Sequence, residues 1–497
     1  MDVLSLMLVL VVMVIVYRWF SRTDQNLPPC PVRPLPVVGH LLSLDKDPRE
    51  QYKRWRQQCG DIFSLYLGEK LMVVLNGYDV IYEALVTRGD EFSDRPRMFV
   101  HEASGSSYTD KGFAFLSGNP WRENRGTSMR LLKQLGMGRN IMAEKIQEEV
   151  SSYLTALSHL QGQPTDIRYL TYASVSNVTC SLIFGHRFDY DDVEFQRLLS
   201  LMRDVMSNVQ MNSLLNFVPL LKFVPGDFLM TRNTTFALRE IIKFVKSYVD
   251  KHKESTYKHN SEASENFITA YFKDRDFKLK TEVVSDMDDQ NLIKTCSELF
   301  FGGTETVAQT IAWCVLCIVN YPDVQEKIHR EIKEQIGALR MPNIQDKTRL
   351  PYLVAVINET VRLSSILPFA VPRSCSTDTE ISGYKIPKGS YICPNLSSVL
   401  HDEKIWGDNV MTFHPERFLE HDGRLKKIEE FVPFSLGPRN CLGVSQAKME
   451  LFLFLSAMFQ RFEFRSHDPS RKPSMVSVPG FTSSTLPFKV IVTSRNI

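Results

Sequence analysis

With 497 residues, 43% hydrophobic and 23% charged, the chain has the composition of a globular protein with material for a large core. A net charge of +2 gives no case for a nucleic acid partner, which needs a concentrated basic face, and leaves room for local basic patches. Nine cysteines, an odd number without framework-like spacing, argue against a disulfide scaffold and for reduced thiols on the cytosolic side of a membrane.

Val3 to Phe20 is almost continuously apolar, broken only by Ser5 and Arg18. At 1.5 Å per residue its length approaches the roughly 30 Å hydrocarbon core of a bilayer. Arg18 stands near the end of the apolar run and Arg22 and Arg33 follow it, so the positive charges lie on its C-terminal side, the polarity of an uncleaved anchor whose body stays cytosolic. We therefore read residues 1–21 as a transmembrane anchor. Residues 22–40 contain Leu27-Pro-Pro-Cys-Pro-Val-Arg-Pro-Leu-Pro, which cannot continue a helix and predicts a stiff, extended hinge. No linker, repeat or low-complexity block divides residues 41–497, so we expect one domain there.

Ile62–Leu67 and Leu71–Leu75, separated by Gly68-Glu-Lys, predict a β-hairpin. Between Phe92 and Trp121 a glycine-rich stretch carrying Phe113 and Phe115 reads as a long binding loop or lid. Trp121 and Arg125, at i and i+4, project from one helical face as donors suited to a carboxylate. Leu214–Phe228 is apolar and broken by Pro219 and Pro225; core burial and a membrane-interface surface both fit it.

The longest helical pattern runs from Asp286 to Tyr321, opened by acidic residues and stopped by Pro322. At its middle stand Gly302 and Gly303. Two glycines inside a helix cost about 1 kcal/mol each, which calls for a compensating reason such as a bulge or the close approach of a flat group. Glu305 and Thr306 follow as an acid and an alcohol able to relay protons through water; a threonine bonding a carbonyl one turn back is the alternative for Thr306. Cys314-Val-Leu-Cys317 lies in an apolar helix interior and reads as core. Glu359 and Arg362, at i and i+3, form an acid and base on one helix face.

Phe434-Ser-Leu-Gly437-Pro-Arg439-Asn-Cys441-Leu-Gly443 then delivers one cysteine to the start of an apolar helix. Gly437 permits a turn with positive φ, Gly443 leaves room for something broad and flat, and Arg439 supplies a nearby cation. The helix's free N–H groups favour a thiolate, so we read Cys441 as a metal ligand, against the alternative of a small hydrophobe in a turn.

This decapeptide resembles the haem-ligand signature Phe-x-x-Gly-x-Arg-x-Cys-x-Gly of the cytochrome P-450 superfamily, the haem-thiolate monooxygenases. The proline-rich hinge, Leu135-Gly-Met-Gly-Arg139 and Phe184-Gly-His-Arg-Phe-Asp-Tyr190 resemble its microsomal family 2 and extend the likeness over the whole chain. The resemblance implies a mainly α fold with small β-sheets behind one N-terminal anchor. It makes Cys441 the axial ligand of haem b iron, framed by Phe434, Gly437 and Gly443, with Trp121, Arg125, Arg95, Arg373 and Arg439 on the propionates. Glu305 and Thr306 become the oxygen-activation pair, and Arg417 joins Glu359 and Arg362 in a buried structural triad. Phe113, Phe115, Phe301, Gly302, Ile366, Leu367, Phe369 and Ala370 become substrate-pocket residues. There are departures: Arg373 stands where many relatives have histidine, Gly302 replaces alanine, Gly126 and Thr127 replace an arginine and an aromatic, and Val307 replaces a second threonine.

The implied reaction inserts one oxygen atom from O2 into a lipophilic xenobiotic, fatty acid or steroid. No Gly-x-Gly-x-x-Gly after a strand and no phosphate loop appear, so electrons should come from NADPH through a separate NADPH–cytochrome P-450 reductase, with cytochrome b5 as a second donor. The implied location is the endoplasmic reticulum membrane with the catalytic domain facing the cytosol. A haem-thiolate isomerase acting on peroxides and a non-catalytic haem-bearing binding protein are the alternatives.

Overall fold

The computed structural model describes residues 26–258, 265–282 and 287–495, with Met7, Met13 and Val14 as isolated positions. The expected anchor, apart from those three positions, lies outside the described residues.

The helix Asp289–Asn320 is the axis of the molecule. Asp288 caps it by accepting from the Asn291 N–H at 2.6 Å, and Pro322, which opens the next helix, ends it. Every residue from Ile311 to Val319 is buried, including Cys314 and Cys317. Among the described residues it is the one helix long and apolar enough to cross a membrane, but 78% of that window is buried within the protein, so it is a core helix. The helices Arg168–Phe184, Thr231–Lys258, Pro351–Ser364 and Val444–Arg461 pack around it.

Contrary to the expected bulge, the helix runs unbroken through Gly302 and Gly303. The two glycines do different work. A Cβ on Gly303 would stand 2.7 Å from Thr179 Oγ1, so its absence lets the central helix lie against Arg168–Phe184. A Cβ on Gly302 would meet nothing within 4 Å, because that position opens on a cavity.

Beside this helical body lies a four-stranded sheet. Ile62–Leu67 and Lys70–Leu75 form the hairpin, with Leu67 opposite Lys70. Tyr391–Pro394 pairs parallel to the second strand, and Arg373–Ser374 pairs antiparallel to Tyr391–Pro394 at the edge. That edge is where the chain delivers Arg373 to the interior, only 1% exposed.

Three expected segments differ in detail. The proline-rich stretch is docked on the body: Ser64 bonds the Pro28 and Pro29 carbonyls, and Gly39 bridges to Leu67. The Phe92–Trp121 segment is not all loop, since Phe99–Ala103 is helical and Gly118 already opens the next helix. The stretch after the helix Val193–Asn212 is a surface of short turns in which Leu220, Phe223 and Phe228 are about three-quarters exposed, so core burial is excluded for these side chains.

Candidate functional site

The cysteine loop is shaped by Gly437. It has φ +71°, and a Cβ there would collide with the Leu85 carbonyl oxygen, in a segment, Glu83–Thr87, whose helix is widened to π spacing. The loop thus rests backbone to backbone on its support. Gly437→Ala should cost about 2 kcal/mol or more, because strain and collision add; denaturant unfolding checks it. The Cys441 N–H closes the loop onto the Phe434 carbonyl at 2.9 Å, and the helix Val444–Arg461 begins three residues on. Burial pushes the Cys441 thiol up, outweighing the Gly443 N–H and the Arg125 cation, which draw it down.

Four guanidiniums line the same cavity as Cys441: Arg95, Arg125, Arg373 and Arg439. Each is held by neutral oxygens. Arg95 bonds the Ala114, Val371 and Pro372 carbonyls; Arg125 bonds the Asn440 carbonyl and side chain; Arg373 bonds Ser435 and Leu436. Arg439 bonds the Ser93, Phe113 and Leu116 carbonyls and lies 3.7 Å from the Trp121 ring centroid, a cation–π contact. Burial and the neighbouring guanidiniums pull Arg95 well down and bring Arg373 and Arg439 to about 9. Among the described residues none of the four has a carboxylate partner, and Arg373 Nη1 is buried with no acceptor. Such a cluster is matched by an anion with several oxygens.

Gly302, Glu305 and Thr306 line this cavity, whose volume is about 430 Å³, as do Phe434 and Gly443. Thr306 Oγ1 donates to the Gly302 carbonyl at 2.9 Å. The Glu305 carboxylate accepts from Thr482 Oγ1 at 3.0 Å and Gln309 Nε2 at 3.2 Å, and burial pushes it up. Phe113, Phe115, Phe301, Ile366, Leu367 and Ala370 are on the lining. Phe369 is a correction: it packs against the Tyr52 ring at 5.3 Å, in a cluster with Phe63, Leu65 and Val74.

The sequence reading missed Lys294, Glu298, His101 and Ser104, all on the cavity lining. Lys294 and Glu298 stand eight and four residues before Gly302, a same-face spacing visible in the sequence. They look like ordinary helix charges until burial is known.

The family model for cytochrome P450 matches residues 28–492. The chain belongs to the cytochrome P450 family. It is 38% identical to Cytochrome P450 2B4 of Oryctolagus cuniculus over 461 residues, 92% of this chain and 91% of the relative. Cytochrome P450 2D15 of Canis lupus familiaris is 36% identical over 482 residues, 96% of this chain and 94% of its own. Cytochrome P450 2B2 of Rattus norvegicus is 36% identical over 471 residues, 93% and 94% respectively. Cytochromes P450 are haem monooxygenases, oxidoreductases that incorporate oxygen from O2, with a cysteine thiolate on the iron and electrons from a reductase.

This P450 fits haem on its own residues. The unpartnered Arg373 Nη1 and the carboxylate-free guanidinium cluster suit two propionates, and Gly302 and Gly443 both leave open space where a Cβ would project. Behind the cysteine loop, Glu359 accepts from Arg362 Nε at 2.7 Å, Arg362 Nη2 at 2.9 Å, Arg417 Nε at 3.0 Å and the His414 N–H at 3.0 Å. Glu359 and Arg362 are wholly buried, and Arg362 also bonds the Leu400 and Val410 carbonyls. These bonds tie the helix Pro351–Ser364 to the segment that leads into Phe434.

Proposed function

We propose that this P450 is a membrane-anchored, NADPH-supported monooxygenase that inserts one oxygen atom from O2 into a small lipophilic substrate and releases the other as water. The observation that carries the reading is that Cys441, the Gly302–Thr306 segment and four guanidiniums share one largely apolar cavity. Cys441 would ligate the iron of haem b, Arg95, Trp121, Arg125, Arg373 and Arg439 would hold its propionates, and Phe434, Gly437 and Gly443 would frame the ligand loop. Haem bound there supplies oxygen activation, with thiolate electron density favouring O–O cleavage.

The chain's own residues do the rest. Phe113, Phe115, Phe301, Ile366, Leu367 and Ala370 give the cavity an apolar wall that excludes water and orients substrate. The Thr306 hydroxyl, its proton given to Gly302, keeps lone pairs to hold a water. Burial favours the protonated form of Glu305, a proton source one residue away whose relay to Thr306 runs through water.

Residues 1–21 would anchor the protein in the endoplasmic reticulum membrane, with the 22–40 hinge leading to a cytosolic catalytic domain over 41–497. The exposed Leu220, Phe223 and Phe228, beside Lys222, suit a second contact with lipid. Electrons would come from NADPH–cytochrome P-450 reductase, with cytochrome b5 as second donor. Arg130, Lys133, Arg139, Lys426, Lys427 and Lys448 are exposed cations suited to an acidic partner, although Asp274 already pairs Arg130 at 2.7 Å.

The test is stoichiometric. Thr306→Ala should retain substrate binding and the thiolate spectrum while product per NADPH falls about tenfold or more and hydrogen peroxide rises. Unchanged coupling removes Thr306 from the mechanism. A wild type that converts hydroperoxides without NADPH and never oxygenates a substrate replaces this reading with the isomerase one.

A further inference from the structure

One end of the cavity is polar in a way that oxygen activation does not use. Lys294 is only 8% exposed, and its Nζ donates to Ser104 Oγ at 2.9 Å; burial draws its pKa down while the charge of Glu298 holds it up. Among the described residues it has no carboxylate within ion-pair reach, so two of its N–H bonds are unfilled in a buried place. Its nearest acidic neighbour along the helix, Glu298, has turned to the loop: Oε2 accepts the Phe113 N–H at 2.7 Å and the Ala114 N–H at 2.9 Å.

His101 supplies a second unfilled donor. Its Nδ1 accepts from the Met98 N–H at 3.2 Å, which places the proton of the neutral ring on Nε2. Among the described residues Nε2 is buried without a partner, and the ring stands edge-on to Phe115 at 4.4 Å. Burial, with the Lys294 and Arg95 cations, lowers His101 to about 3, so the ring stays neutral at ordinary pH. Among the described residues at this end of the cavity, two donor groups therefore stand against one unfilled acceptor, Glu298 Oε1.

We propose that this pocket selects substrates with an acidic head, long-chain carboxylates, by binding the carboxylate oxygens to Lys294 Nζ and His101 Nε2–H. Leu182, Val205, Leu238 and Ile241 furnish apolar wall for the chain. Lys294 precedes Thr306 by twelve positions on one unbroken helix, about 18 Å of axis, a distance that suits a long alkyl chain and not a short acid. The carbon presented near Thr306 is then remote from the carboxyl group. This inference rests on the monooxygenase reading for turnover, but not for binding.

The experiment is equilibrium dialysis of full-length holoenzyme with tetradecanoate, tetradecanol and tetradecylamine under one detergent condition. Wild type should hold tetradecanoate about tenfold or more tighter than the alcohol, the worth of a charge-assisted hydrogen bond. Lys294→Met and Lys294→Gln should abolish that preference while leaving alcohol affinity in place, which also shows that the variants are folded. Equal affinities in wild type, a preference for the amine, or parallel loss of acid and alcohol binding in both variants overturns the inference. Lys294-dependent binding of tetradecanoate that reductase and NADPH never oxidise supports it and removes the turnover reading. Oxygenation of acid and alcohol alike, with equal affinities, keeps the turnover reading and overturns this one.

Discussion

Arg362→Ala should destabilise the protein by about 3–5 kcal/mol, because it leaves Oε2 of the wholly buried Glu359 carboxylate without its donor and frees the Leu400 and Val410 carbonyls. Against a total stability of about 5–15 kcal/mol, that loss leaves little. Arg417 remains on Glu359, so one charge-assisted bond survives and some fold is kept at low temperature. Arg362→Lys should recover only part of the loss, because an ammonium cannot reproduce the guanidinium fork that spans two carboxylate oxygens and two carbonyls. Denaturant midpoints for the two variants and wild type check the order. Equal midpoints for alanine and wild type would show that the triad holds nothing together.

The triad also shows how far the sequence carries. Glu359 and Arg362 at i and i+3 were legible as a pair, but the pair alone reads as a modest surface interaction. What makes it strong is burial plus the arrival of Arg417 and the His414 N–H from 55 and more positions downstream, which no local spacing encodes. Gly437 was legible for the opposite reason, since a left-handed turn before a cysteine is a local demand of the backbone. The double glycine was legible as a site and misread in geometry. Helix propensity suggested a bulge, whereas close packing against Thr179 accounts for Gly303 with the helix intact.

Side-chain direction was the weakest inference. Phe369 and Ala370 are neighbours in the chain, yet one packs under the sheet and the other faces the cavity, a choice made by Tyr52 and Phe63 from a distant segment. The polar end formed by His101, Ser104, Lys294 and Glu298 joins the central helix to the preceding loop, and neither segment announces it alone. Likewise the guanidinium cluster takes its members from four separate stretches, so the mutual repulsion that marks an anion site appears only after folding.

Cys441 carries the second large effect. On the proposed reading, its replacement by alanine should remove the thiolate that would hold the haem iron and with it oxygenation, while the loop, closed by backbone bonds and by Gly437 against Leu85, has no structural need of the thiol. Cys441→His should keep some haem through its imidazole but not oxygenation, because a neutral nitrogen donates less charge than a thiolate. The most direct measurement is the spectrum of the ferrous-CO complex in purified full-length protein and in Cys441→Ala and Cys441→His. Wild type should show the strongly red-shifted band of a thiolate ligand, and both variants should lack it. The same red-shifted band in Cys441→Ala would contradict the account, because the thiolate would then have to come from another cysteine.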